Sequence, residues 1–259
     1  MPGAQDGPIS AGKVAQLQAF GAQVVLVDGD YLATYETSVL AIDHYGWYSR
    51  NAAVNPYCVE GKKTAGLELG EQLGGDGADW VSVSVGDGCT VAGIWKGLGH
   101  MHRLGHLSRL PRLLATQAGG AAPLAAAFAA GTEALVRVPW PGTAADSIDV
   151  AVPRNPVKAL RAVRESGGTF VTVADADIAA AQVELASTTG VFAEPAGAAG
   201  LAGVRRAREA GIIAAGDSVV HVVTGNGLKD VAAVSRSLGR PAVVAPTLDA
   251  VRAVIEGAA

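Results

Sequence analysis

Two hydrophobic periods alternate along this chain, one near 3.6 residues and one of short β-branched runs. Val14, Leu17 and Phe20 share a helical face within residues 10–20, with Ser10 placed as N-cap and Gly21 as the residue just past the end. Gln23-Val24-Val25-Leu26-Val27 then reads as a strand, and residues 31–41 as a second helix. Residues 43–55 form an aromatic, irregular connection carrying Tyr45, Trp47 and Tyr48, where a domain seam is expected. A long helix over residues 60–73 follows, with Ala65, Leu67, Leu69 and Leu73 among its apolar positions.

The next run is β-branched: Val81, Val83 and Val85 after Trp80 predict a strand that breaks at Gly86-Asp87-Gly88-Cys89-Thr90 and restarts as a helix over residues 91–104. Further on, the pattern predicts a strand at 112–117, a helix at 121–130 and a proline-rich connection at 136–154. A helix at 158–165, the turn Ser166-Gly167-Gly168, a strand at 169–173 and a helix at 175–188 capped by Asp175 come next. A short strand at 190–193, a helix at 200–210 and a strand at 218–223 complete the alternation. The last strand is continuously apolar, as in a sheet buried on both faces. Strands alternating with helices predict an α/β fold: a mostly parallel open sheet with helices on both faces, plus an incomplete smaller αβ domain. The expected division is 1–52 for the remainder of the small domain and 53–259 for a large ligand-binding domain.

Composition narrows the function. The chain has 259 residues, 49% hydrophobic and 5% aromatic, with a formal net charge of −4. No long basic run attracts nucleic acid or an anionic membrane surface, and the most apolar stretch, 123–131, is far shorter than the ~20 residues a membrane helix needs. Cys58 and Cys89 alone give no disulfide framework, and no secretion signal precedes the first helix. These features predict a soluble cytoplasmic protein. His100, His102 and His106 invite a metal reading, but cations at a helix C-terminus suit its dipole, and no metal is expected.

The loop at Gly86 carries the candidate chemistry. A strand that ends in glycines and restarts as a helix leaves backbone N–H groups unpaired where the helix dipole favours an anion. The third glycine of a dinucleotide fingerprint is absent, and no Gly-Lys-Ser/Thr follows, so a phosphate fits better than a dinucleotide or a nucleoside triphosphate. A plain strand-to-helix turn is the alternative. Thr224-Gly225-Asn226-Gly227-Leu228-Lys229-Asp230 is a second glycine loop at a strand end, and Glu194 precedes Pro195 at a third.

Together with Asn55-Pro56-Tyr57-Cys58-Val59-Glu60-Gly61-Lys62-Lys63-Thr64, these loops resemble the pyridoxal-phosphate enzymes of the tryptophan-synthase-β group (fold type II), and most closely the threonine-synthase-like family. The resemblance includes Leu110-Pro111-Arg112, residues 117–123, residues 165–168 and Glu194-Pro195-Ala196. It implies that Gly86, Asp87, Gly88, Cys89 and Thr90 cradle the phosphate of pyridoxal 5′-phosphate and that the Thr224 hydroxyl meets its pyridine nitrogen. It brings Glu194 near the ring, although a simple N-cap role for Glu194 is the alternative. The implied activity is a lyase or synthase that carries out β/γ-elimination or replacement on a small amino-acid substrate. Members are commonly homodimers.

The family's Schiff-base lysine, in a Ser-x-Lys-Asp/Glu-like motif, and its substrate-carboxylate loop have no counterpart here. Lys13, Lys62, Lys63, Lys96, Lys158 and Lys229 do not match that position, so no catalytic lysine is assigned. The expectation is an N-terminally truncated chain, with Met1 an internal start, that does not turn over as written. The alternatives are a noncatalytic pyridoxal-phosphate or anion-binding protein, or one half of a split enzyme. Where threonine synthases recognise a substrate phosphate with arginine, serine and asparagine, this chain has Cys58, Ala53 and Asp87. Cysteine offers no bidentate contact to phosphate and aspartate repels it, which favours an unphosphorylated hydroxy amino acid or a β-replacement substrate.

Overall fold

The computed structural model describes residues 11–257. Four strands, β1 (Trp80–Ser84), β2 (Arg112–Ala118), β3 (Thr169–Val173) and β4 (Val219–His221), form one parallel sheet in the order β3-β2-β1-β4. The helices of the described residues are α1 (Ala11–Ala19), α2 (Tyr31–Tyr45), α3 (Pro56–Leu73), α4 (Cys89–Arg103), α5 (Pro123–Ala129) and α6 (Pro156–Glu165). They continue with α7 (Asp175–Thr189), α8 (Pro195–Glu209), α9 (Val231–Ser237) and α10 (Leu248–Gly257). None is long and apolar enough to cross a membrane.

The alternation along β1 sorts its side chains between two layers. Val81, Val83 and Val85 join Ile94, Leu98, Leu124 and Leu160 in the main core, beneath α4, α5 and α6. Ser82 and Ser84 face the other layer, where α8 approaches closely. Ser82 Oγ donates to the Gly200 carbonyl at 2.8 Å, and Gly200 N–H donates to Ser84 Oγ at 3.0 Å. Small residues allow that approach, since a Cβ on Gly203 would overlap the Thr116 side chain. The same device joins α3 to α4: a Cβ on Gly66 would lie 2.9 Å from the Gly97 Cα and overlap the Ile94 carbonyl.

Helix starts follow the local chemistry. Asn55 caps α3 by accepting Tyr57 N–H at 3.0 Å, with Pro56 in the first turn, and its own amide donates to the Ser49 carbonyl at 2.7 Å. Asp30 caps α2 by accepting Ala33 N–H at 2.8 Å.

Several elements differ from expectation. Residues 23–27 form no strand, and Val25 and Leu26 are 76% and 62% exposed. A strand exists only where a neighbour pairs its N–H and C=O groups, and none of the described residues runs beside it. Helix α2 extends one turn beyond residue 41 to Tyr45, and Gly46 stops it in the left-handed conformation. Asp175 is the first helical residue of α7 and not its cap; Ala174 holds that position, and the Asp175 carboxylate accepts from the Thr143 hydroxyl and Ala144 N–H. The expected strand at 190–193 reduces to one antiparallel bridge between Ala193 and Asn226. Helix α8 begins at Pro195 and not at Gly200, because proline suits the first helical position. Strand β4 is shorter than 218–223 and half-buried, since it forms the edge of the sheet. The N-cap expected at Ser10 lies outside the described residues.

Candidate functional site

The site forms where β1 and β4 end side by side. The last ladder bond of β1 runs from Val85 N–H to the Thr116 carbonyl at 2.8 Å, and the chain then turns through Gly86, Asp87 and Gly88 into α4. Gly88 is the N-cap with φ of +88°, a conformation that glycine adopts without strain, and no side chain caps this helix end. A Cβ on Gly88 would lie 2.7 Å from the Ala159 Cβ, and one on Gly86 would lie 3.1 Å from the Ile148 Cα. Among the described residues no side chain claims the first-turn N–H groups of α4, and the glycines let surrounding chain pack tightly beside them.

Asp87 points its hydrogen bonds outward from this turn. Its carboxylate accepts Arg154 N–H at 3.0 Å and the Tyr31 hydroxyl at 3.2 Å, while its backbone carbonyl accepts Asn155 N–H at 2.9 Å. Burial, with the Asp87 charge beside it, pushes the Tyr31 phenol up to about 12. The Arg154 guanidinium stacks 3.9 Å from the Tyr35 ring, one turn along α2. Helix α2 is thus tied to the glycine loop through Tyr31 and Tyr35.

The loop that follows β4 supplies the opposite wall. Asn226 accepts Leu228 N–H at 2.9 Å, Gly227 N–H donates to the Phe192 carbonyl at 2.9 Å, and Glu194 N–H donates to the Gly225 carbonyl at 3.0 Å. These bonds hold Thr224 and Lys229 beside Glu194. The Glu194 side chain makes no cap bond to α8; buried to 4% exposure, it accepts from Lys229 Nζ at 3.2 Å. Gly225 leaves room for it, since a Cβ there would overlap the Glu194 carboxylate.

A cavity of about 250 Å³ lies between the two loops, lined by Gly86, Asp87, Gly88, Cys89 and Thr90, by Ser147 and Ile148, and by Glu194, Ala196, Thr224 and Lys229. Every residue singled out in the sequence as cofactor-facing borders this one space. Its volume is just below the ~300–1,000 Å³ of drug-sized pockets and suits a single-ring phosphate ester. The uncapped helix end and the hydroxyl side chains of Thr90, Ser147 and Thr224 match the acceptors of pyridoxal phosphate, so the residues present fit that group.

Helix α1 packs on the 3₁₀ turn Gly227–Asp230, which brings Lys229 to the cavity. Its Lys13 binds Asp146 at 2.7 Å, next to Ser147. Burial opposes the charge on Lys13, but the hydrogen bond and field of Asp146, with Glu194 and Asp230 nearby, hold its pKa above the ordinary lysine value.

Sequence reasoning missed Lys229, Ser147, Ile148 and Ala196 as lining residues. Lys229 stands in the same glycine loop as Thr224, which was the available signal; Ser147 and Ile148 come from an irregular connection that has no periodicity to read. Lys13, Lys62, Lys63, Lys96 and Lys158 do not line the cavity. Lys63 and Lys96 both pair with Glu60. Cys89 is buried at the start of α4, and the Cys58 thiol donates to the Arg50 carbonyl at 3.1 Å. Among the described residues no group of three or more His, Cys, Asp or Glu side chains is placed to hold a metal ion; His102 Nδ1 instead bonds the Leu107 carbonyl at 2.8 Å.

Comparison with known proteins agrees with this geometry. The chain is 36% identical over 253 residues to a threonine synthase of Methanosarcina acetivorans, a match covering 98% of this chain and 62% of that protein. A threonine synthase of Mycobacterium tuberculosis is 38% identical over 224 residues, covering 86% of this chain and 60% of its own length. The chain thus spans about 60% of the curated relatives it matches. In fold it is similar to the processed form of threonine deaminase isoform 2 from Solanum lycopersicum, with a TM-score of 0.71 at 21% identity over 87% of this chain and 62% of that one. Maize serine racemase also gives a TM-score of 0.71, at 22% identity over 90% of this chain and 67% of that one. The family model described as "Pyridoxal-phosphate dependent enzyme" matches residues 5–225, and the chain belongs to that family, with the fold of its type II members.

Proposed function

We propose that the protein is a threonine-synthase-like lyase or synthase that acts on a small amino acid by β/γ-elimination or replacement, and that this chain carries its cofactor seat. The observation that carries the reading is the convergence of residues 86–90, Thr224 and Glu194 on one cavity. When bound, pyridoxal phosphate supplies an electron sink for the pair released from a bond at the substrate Cα.

In this reading the first-turn N–H groups of α4 and the Thr90 hydroxyl hold the phosphate. Thr224 offers a neutral hydroxyl to the ring nitrogen. Unlike a carboxylate, it does not hold that nitrogen protonated, and the weaker sink suits elimination and replacement better than transamination. Asp87, already accepting from Arg154 N–H and the Tyr31 hydroxyl, places a carboxylate beside the seat. With Cys58 engaged on a backbone carbonyl and Ala53 apolar, nothing at these three positions recognises a second phosphate. The substrate proposed is therefore an unphosphorylated hydroxy amino acid or a β-replacement substrate.

A division into 1–52 and 53–259 belongs to the same reading, supported by helix α2, which has no buried residue and meets the glycine loop through Tyr31. So do a homodimer and a cytoplasmic location, which rest on the family resemblance and on the free thiols of Cys58 and Cys89. An assay of the whole protein with phosphorylated and unphosphorylated hydroxy amino acids tests the substrate. Turnover of the unphosphorylated compounds is expected, and efficient use of phosphohomoserine contradicts it.

A second reading, a noncatalytic cofactor- or anion-binding protein, is favoured by one observation. Lys229, the one lysine lining the cavity among the described residues, is ion-paired with Glu194. Borohydride treatment of the chain with pyridoxal phosphate, followed by peptide mass mapping, separates the readings: a specifically labelled lysine would overturn the noncatalytic one.

A further inference from the structure

Three charged side chains line the cavity, and two of them are carboxylates: Asp87, Glu194 and Lys229. Asp87 is satisfied by Arg154 N–H and the Tyr31 hydroxyl. Glu194 is different, because it is 4% exposed and makes no cap bond. Its carboxylate lies against the Gly225 backbone, where a Cβ on Gly225 would overlap it. Lys229 reaches it from the 3₁₀ turn at 3.2 Å, while Lys13, the other nearby cation, is bound to Asp146. Asp230 adds a further negative charge at the same turn. A buried carboxylate without a partner is costly, and it would also repel a dianion bound at the α4 N-terminus.

We propose that Lys229 is a positioning residue of the anion seat, whose ammonium neutralises Glu194 so that the cavity accepts a phosphate monoester. The inference rests on the cofactor-seat reading and deepens it. It assigns Lys229 an electrostatic task and no covalent one, because its Nζ is engaged with the Glu194 carboxylate at 3.2 Å.

Calorimetric titration of the full chain with pyridoxal phosphate, inorganic phosphate and unphosphorylated pyridoxal tests this at one ionic strength. Lys229→Met is expected to weaken pyridoxal phosphate and phosphate about tenfold, and pyridoxal less than about threefold. Lys229→Arg retains binding. Adding Glu194→Gln to Lys229→Met restores pyridoxal phosphate affinity to within about threefold of Glu194→Gln alone, a rescue that a merely structural lysine would not show. Unchanged phosphate binding in Lys229→Met, equal losses for pyridoxal and its phosphate, or failure of the rescue overturns the inference while the seat stands. A wild-type chain that binds none of the three ligands overturns the seat itself, and the inference with it.

Discussion

Gly88 concentrates the requirements of the site in one residue. Its φ of +88° and its distance to Ala159 both forbid a side chain. Gly88→Ala is expected to cost about 1–3 kcal/mol of stability from strain and overpacking, read as a lowered denaturant midpoint with unchanged slope. A midpoint equal to wild type would show that the turn has room to relax. This requirement was legible in the sequence because it is local: a strand, two glycines and a helix start fix the backbone within a few residues. Lys229 was not legible in the same way. Its task depends on Glu194, 35 positions earlier, and only the packing of the Thr224 loop against residues 192–194 brings them together.

At the scale of elements, the contact between α3 and α4 fixes the helix whose N-terminus faces the cavity. Its glycines let the two backbones meet: a Cβ on Gly97 would lie 2.8 Å from the Gly66 Cα and overlap the Lys63 carbonyl. Gly97→Val is expected to destabilise by about 1–3 kcal/mol or more and, by tilting α4, to weaken anion binding as well. Wild-type stability and affinity in this variant would remove α4 docking from the account. The hydrophobic pattern predicted α4 through its 3.6-residue period, and β1, β2 and β3 as apolar and β-branched runs that find neighbours in one sheet. It failed at residues 23–27 and overextended β4, since an apolar run states a preference for pairing and cannot supply the neighbour. At Asp175 a capping residue type was present, but Thr143 and Ala144 claim its carboxylate from another part of the chain.

Across the whole molecule, the parallel sheet gathers loops far apart in sequence at one end, where the glycine loop after β1 and the loop after β4 form opposite walls of one cavity. The underside of that arrangement carries a pH-sensitive group. His221 on β4 packs under α8, its Nε2 donates to the Gly197 carbonyl at 2.9 Å, and its buried Nδ1 has no hydrogen-bond partner among the described residues. Burial pushes the imidazole below its ordinary value near 6.5. The unfolded chain therefore binds the proton first: stability is full above about pH 6.5 and falls as pH drops through the depressed folded value. Chemical denaturation between pH 7 and 5 should show this fall, and His221→Gln should flatten it; an equal slope in both proteins would exclude His221 as its source.

The central claim is that residues 86–90 and α4 form a seat for the phosphate of pyridoxal phosphate. Its most direct test is phosphorus NMR of the chain titrated with pyridoxal phosphate, with and without competing inorganic phosphate. The account predicts saturable one-to-one binding, a displaced bound resonance, competition by inorganic phosphate and weaker binding in Gly88→Ala. Absence of saturable binding, or binding indifferent to both phosphate and Gly88→Ala, would contradict it.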